Sequence, residues 1–134
     1  MDDKVREFFA RYERANAEFN VTEIASLYAE VFLFGGPQGA QSIKKDDFVK
    51  VLPRRKDFFK SVGLVSSKVE RVETSALDSN YILAKVVWKM RIERATPAEI
   101  ETSATYLLWN SASSLQIVFQ VDHQDLAATI RELG

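Results

Sequence analysis

Cysteine is absent from this chain, and histidine occurs once, at His123. Without thiols there is no disulfide, no thiolate nucleophile and no cysteine metal site. One imidazole and scattered carboxylates also lack the convergent spacing of a zinc centre, so neither a metal nor any other cofactor is expected. Net charge is missing as well: 18 basic against 19 acidic side chains leave -1, which creates no general attraction for nucleic acid or anionic lipid. Apolar runs are only a few residues long, against the ~20 that span a bilayer. The opening MDDKVREFF is too charged for a secretory signal, so no membrane partner and a cytoplasmic location are the expectations. Phosphate-binding loops and nucleophile elbows do not occur, and neither do repeats or low-complexity segments. Nothing marks a boundary, and residues 1–134 are read as a single domain.

What is present belongs to an ordinary globular chain, with 46% hydrophobic and 28% charged residues. Its centre is Tyr81 to Glu93, YILAKVVWKMRIE. There Ile82, Ala84, Val86, Trp88, Met90 and Ile92 take one parity, while Lys85, Lys89, Arg91 and Glu93 hold much of the other. That alternation predicts a long strand with one apolar face, central in a curved antiparallel sheet. Before it, Val5, Phe8, Phe9, Tyr12, Ala15 and Phe19 recur at helical spacing from Asp3 to about Glu18. Asn20 and Glu23 form a capping arrangement for a second helix of about three turns that runs through Ile24, Leu27, Tyr28 and Val31. Phe32 to Phe34 reads as a brief strand before Gly35-Gly36-Pro37, followed by a loop through Gln41. Ser42 can cap a third helix, which Pro53 is expected to kink or restart and Gly63 to end. From Ser67 the chain turns to β. Four strands follow as a meander, from Ser67 to Ala76, through the central strand, from Ile100 to Asn110, and from Leu115 to Val121 after a turn at Asn110 to Ser114. Gln124 to Leu133 closes as a short helix.

Helices followed by an antiparallel meander make an α+β layer. Within it, Asn20-Val21-Thr22-Glu23-Ile24-Ala25-Ser26-Leu27-Tyr28-Ala29-Glu30, then Val31-Phe32-Leu33-Phe34-Gly35-Gly36-Pro37, resembles the second-helix signature of the NTF2-like superfamily, with its SnoaL-like and ketosteroid-isomerase-like members. The resemblance extends in element order over nearly the whole chain. It implies an NTF2-like, cystatin-like fold in which N-terminal helices pack on a curved antiparallel sheet around a cone-shaped pocket. The chain departs from the pattern at the last strand, which begins Ser114-Leu115 where such families often have Gly-Trp.

On that fold, parity nominates Trp88, Met90, Tyr106, Leu108 and Phe119 as cavity lining, with Tyr28, Phe32 and Phe34 closing one side. The same large groups could instead fill a solid core. His123 shares parity with Ile117, Phe119 and Val121, so it is expected to face the cavity as a candidate proton-transfer residue or, failing that, to make an ordinary hydrogen bond. Asp122 takes the opposite parity. Lys50, Arg54, Arg55, Lys56 and Lys60 form a basic cluster that is either a solvated helix face or an attractor for anions. Three functions follow as expectations: binding of a small apolar or aromatic molecule; isomerase, dehydratase or polyketide-cyclase-like chemistry; or protein interaction through the sheet. Val87, Leu107, Trp109 and Val118 on the outward parity predict a homodimer through the sheet face.

Overall fold

The structure is a computed structural model, and it describes residues 3–111 and 114–133. In chain order it contains α1 (Asp3–Ala17), α2 (Val21–Ser26), β1 (Tyr28–Gly36), β2 (Gly39–Lys44), α3 (Lys45–Ser61), β3 (Leu64–Ala76), β4 (Tyr81–Ile92), β5 (Ala98–Asn110), β6 (Leu115–Asp122) and α4 (Leu126–Arg131). The six strands form one open sheet in the order β2-β1-β6-β5-β4-β3. All neighbours are antiparallel except β1 and β6, which run parallel and join the N-terminal hairpin to the meander.

The expected first helix forms, with Val5, Phe8, Phe9 and Ala15 buried on its sheet-facing stripe. Asn20 caps α2 as its spacing predicts, its side-chain oxygen accepting from the Glu23 N–H at 3.1 Å. The helix is much shorter than expected, however, and ends at Ser26. The Leu27 carbonyl accepts from Ile117 N–H at 2.8 Å, and Tyr28 pairs with Ile117 of β6. A distant strand thus claims a segment whose Tyr, Val and Phe content already favours extended backbone.

The expected loop is also a strand. Gly36 pairs with Gly39 across Pro37-Gln38, and Phe32 pairs with Ile43, which makes β1 and β2 a tight hairpin. Ser42 therefore lies in β2 and caps nothing; α3 starts at Lys45, without a side-chain cap. Pro53 neither stops nor restarts α3, which continues to Ser61. Proline is exposed there while Phe48 and Leu52 hold the buried side, so the missing N–H bond falls on the face that water reaches. Gly63 then ends the turn at φ +88°, where a Cβ would collide with the Glu93 carbonyl. In the closed corner Glu93 N–H donates to the Gly63 carbonyl at 2.7 Å.

The meander forms as expected, with Trp88 paired to Val69 and Thr102 in its middle. The turn expected from Asn110 to Ser114 lies partly outside the described residues. Helices α1, α2 and α3 pack on the concave side of the sheet, around Phe8, Phe9, Leu27, Tyr28, Phe32 and Tyr106. Among the described residues no helix is long and apolar enough to cross a membrane.

Candidate functional site

One irregularity in β6 determines what faces the concave side. Leu108 pairs with Ile117, yet its neighbour Leu107 pairs with Phe119, so Val118 is an extra residue in the ladder. Such a bulge reverses the facing of everything beyond it. Leu115 and Ile117 point inward as alternation predicts, but after the bulge Gln120 and Asp122, opposite Tyr106 and Ala104, take the inner side. Phe119, Val121 and His123 turn outward.

This corrects the expected placement of two residues. His123 is exposed on the outer face, where its Nε2 lies 2.7 Å from Thr105 Oγ1. Phe119 lies opposite Leu107 and touches the outer side of Gly35. Neither belongs to the cavity wall.

Between the sheet and helices α1 and α3 is a cavity of about 590 Å³. The structure brings Trp88, Met90 and Tyr106 together on its wall, as parity predicts. Tyr12 and Phe19 close it from the α1 side, Leu52 and Phe59 from α3, and Gln120 and Asp122 from β6. Tyr28, Phe32 and Leu108 stand behind this wall in the solid core, the first two packed against Phe48, tilted and edge-to-face, with ring centroids 4.7 and 5.3 Å away. Phe34 lines not this cavity but an adjoining cleft of about 500 Å³, beside Pro37 and Gln41, which shares Asp122 and Leu126 with it. Of the basic cluster, Arg55, Lys56 and Lys60 reach the cavity rim, and Lys50 and Arg54 do not line it.

Six polar side chains in and behind the wall form one connected network. Trp88 Nε1–H donates to the Tyr106 hydroxyl at 3.3 Å, and Tyr106 interacts in turn with Tyr12. The Tyr12 and Tyr28 hydroxyls are 2.8 Å apart; Tyr28 donates to Gln120 Oε1 at 2.6 Å, and Gln120 Nε2–H donates to Asp122 Oδ1 at 3.0 Å. The carboxylate sets the sense of the last links. Asp122 accepts from the amide nitrogen, so Gln120 presents its oxygen to Tyr28, and Tyr28, having spent its only proton there, accepts from Tyr12. Among the described residues no buried side-chain N or O atom lacks a partner.

Burial raises the pKa of all three tyrosines, Tyr28 and Tyr106 well above the usual phenol value, so they remain hydrogen-bond donors at neutral pH. It also raises the Asp122 carboxyl, against the opposing pull of the Gln120 amide and of Arg55 and His123. The site therefore ends in one carboxyl whose proton affinity exceeds the ordinary, approached by a row of donors. Tyr12 was legible as part of the α1 stripe. Gln120 and Asp122 were not, because strict alternation along LQIVFQVD assigns them to the outer side.

The architecture has solved counterparts. An NTF2-like protein with a cystatin-like fold from Novosphingobium aromaticivorans superposes with a TM-score of 0.74 at 11% identity, over 98% of this chain and 86% of its own. Aln2 from a Streptomyces species gives 0.73 at 12% identity, over 94% and 91%. The beta subunit of benzoate 1,2-dioxygenase from Burkholderia mallei gives 0.71 at 16% identity, over 92% and 90%. At such identities the likeness is one of fold. No curated protein matches the sequence. Residues 2–125 match the family described as NTF2-like protein (DUF6841), and with nearly its whole length inside that match the chain belongs to this NTF2-like family.

Proposed function

We propose that the protein binds a small, largely apolar aromatic molecule in the cone. The observation that carries this reading is the pairing of aromatic walls with a polar inner end: Trp88, Tyr106, Tyr12 and Phe59 offer ring faces and edges, while Gln120 and Asp122 offer a localised hydrogen-bonding group. A mostly apolar enclosure with a few convergent polar groups is the usual form of a small-molecule site. A thermal-shift screen of aromatic compounds against the wild type and Met90→Trp tests it. Met90 is a partly exposed wall residue, and an indole there occupies the space a ligand needs. Ligands should raise the melting temperature of the wild type and leave the variant unmoved. Shifts that persist in the variant would move the site elsewhere.

A second reading, an acid–base enzyme of the isomerase or cyclase kind, is favoured specifically by Asp122. A half-buried carboxyl with raised proton affinity, facing an apolar cavity, suits removal of a proton from a carbon acid and its return elsewhere on the same molecule. Tyr106 or Tyr12 would steady the developing oxyanion. His123, directed outward, does not reach a molecule in the cavity and acts at most through its charge on Asp122. Asp122→Asn should then abolish turnover of a bound compound while its affinity changes little, and His123→Ala should leave both intact.

The outer face supports a further reading, a homodimer. Leu33 and Trp109, each 40% exposed, lie there with Leu83, Leu107 and Phe119. Pairing about a two-fold axis would cover them.

A further inference from the structure

Resting on the reading of the cavity as a ligand site, we propose that its ligands are amphipathic anions: aromatic bodies that enter between Trp88 and Tyr106 and carry a carboxylate or sulfonate that stays at the rim against Arg55 and Lys56. The distribution of charge around the opening supports this. In a chain of net charge -1, the cavity is lined by Arg14, Arg55, Lys56, Lys60 and Lys68, against only Glu13, Glu18 and Asp122. Glu13 is already engaged, one carboxylate oxygen accepting from the Val69 N–H at 2.6 Å.

Some basic side chains elsewhere find carboxylates, as Arg11 does with Glu23 at 2.6 Å and Lys89 between Glu70 and Glu99 at 3.6 and 3.4 Å, while others such as Lys50, Arg54 and Lys85 stand on open surface without one among the described residues. Among the described residues none of the five rim cations has an acidic group within ion-pair distance. Two of them are steadied instead by rings of the cavity wall. Lys56 Nζ lies 4.5 Å from the Phe19 centroid, and the Arg55 guanidinium carbon 5.6 Å from that of Phe59. Cation–π contact fixes a charged head while leaving its hydrogen-bond donors free for another group. Lys60, in the last turn of α3, has an independent reason to be basic, since it offsets the negative end of the helix dipole. Arg55 and Lys56 sit further back along the helix and lack that reason.

Charge also discriminates between classes of ligand. A cation would be repelled by these five positive groups around the cavity, and a neutral aromatic would gain nothing from them. An anion with an apolar body matches both zones at once, provided that its charge stays outside, because a second negative group beside Asp122 would be repelled.

Two probes with one aromatic body separate the charge from the body: 8-anilinonaphthalene-1-sulfonate and its uncharged parent N-phenyl-1-naphthylamine. Each is titrated by fluorescence against the wild type, Met90→Trp, and the double variant Arg55→Gln with Lys56→Gln. The sulfonate should bind the wild type about tenfold more tightly than the neutral probe at low salt, and the double variant should lose about that factor for the sulfonate alone. Added salt should weaken only the sulfonate. Equal affinities for the two probes, or a sulfonate affinity untouched by the double variant, overturn the anion inference and leave the cavity reading standing. Binding of both probes that survives Met90→Trp overturns the cavity reading itself.

Discussion

Both faces of the sheet carry large apolar side chains, but they treat the polar atoms among those side chains in opposite ways. On the concave face a row of polar side chains is linked each to the next, from Trp88 through the tyrosines to Gln120 and Asp122. On the outer face charges pair near one end, as in Glu70–Lys89–Glu99, and Trp109, Leu83 and Leu33 lie bare elsewhere. Val87, expected in that bare patch, is only 7% exposed, and Val118 is taken up by the bulge. An enclosed face leaves its polar groups only one another as partners, so they must form a network. Water satisfies the outer face, whose apolar groups are the ones left without partners.

The two tryptophans give the sharpest contrast. Trp88 is 6% exposed, packs 5.4 Å from Tyr12 and donates to Tyr106, so Trp88→Ala should cost about 3–5 kcal/mol in urea unfolding. Trp109→Ala on the outer face should stay within about 0.5 kcal/mol for the isolated protomer. Comparable losses would erase the distinction between the faces.

Removing one link of the network should have the next largest effect. Tyr28→Phe keeps the ring and deletes the hydroxyl that joins Tyr12 to Gln120, which leaves two buried polar groups short of a partner at about 1–3 kcal/mol. On the outer face, His123→Ala removes an exposed contact with Thr105 and a weak electrostatic influence on Asp122, and should move the melting temperature by less than a degree or two. A Tyr28→Phe variant as stable as the wild type would mean that the relay contributes nothing to folding.

Asp122 gives the concave face a pH dependence at the acid end of the scale. Its folded-state pKa is raised by burial, so its contribution to stability is complete below the ordinary carboxyl value of 3.8 and is lost as pH rises through the folded value. Asp122→Asn retains an oxygen for Gln120 and never ionises. The variant should therefore match the wild type near pH 3 and melt a few degrees higher at pH 7. A wild type that instead gained on Asp122→Asn with rising pH would show the carboxylate to be net stabilised by Gln120 and Arg55.

Sequence made one face more legible than the other. The α1 stripe, the Tyr81 to Glu93 strand and the inward Trp88, Met90 and Tyr106 follow from periodicities that need only near neighbours. Tyr28 to Val31 could not be read so, because Ile117, far along the chain, decides that they are a strand. The Val118 bulge was hidden by the apolar side chains beyond it: Phe119 and Val121 continue the alternation of Leu115 and Ile117 while facing the opposite way. That one extra residue moved the candidate acid from His123 to Asp122.

The outer apolar patch yields the prediction with the smallest effect on folding. Leu83, Trp109 and Leu33 are each between 38% and 40% exposed, an unusual amount of large apolar surface for one face. The short α4 does not cover it, because Leu126 lines the cavity and the neighbouring cleft instead. If a second copy covers the patch, Trp109→Lys introduces a charge at the centre of the interface on each side and the two charges repel. Light scattering should give a dimer for the wild type at micromolar concentration and a monomer for Trp109→Lys, with unchanged far-ultraviolet dichroism and probe binding in the cavity. A wild type that is already monomeric removes the dimer, and the outer face would then owe its bare tryptophan to some other partner. A Trp109→Lys protein that stays dimeric moves the interface away from the β4–β5 surface, to the edge strands β2 or β3, whose outer backbone groups have no neighbouring strand.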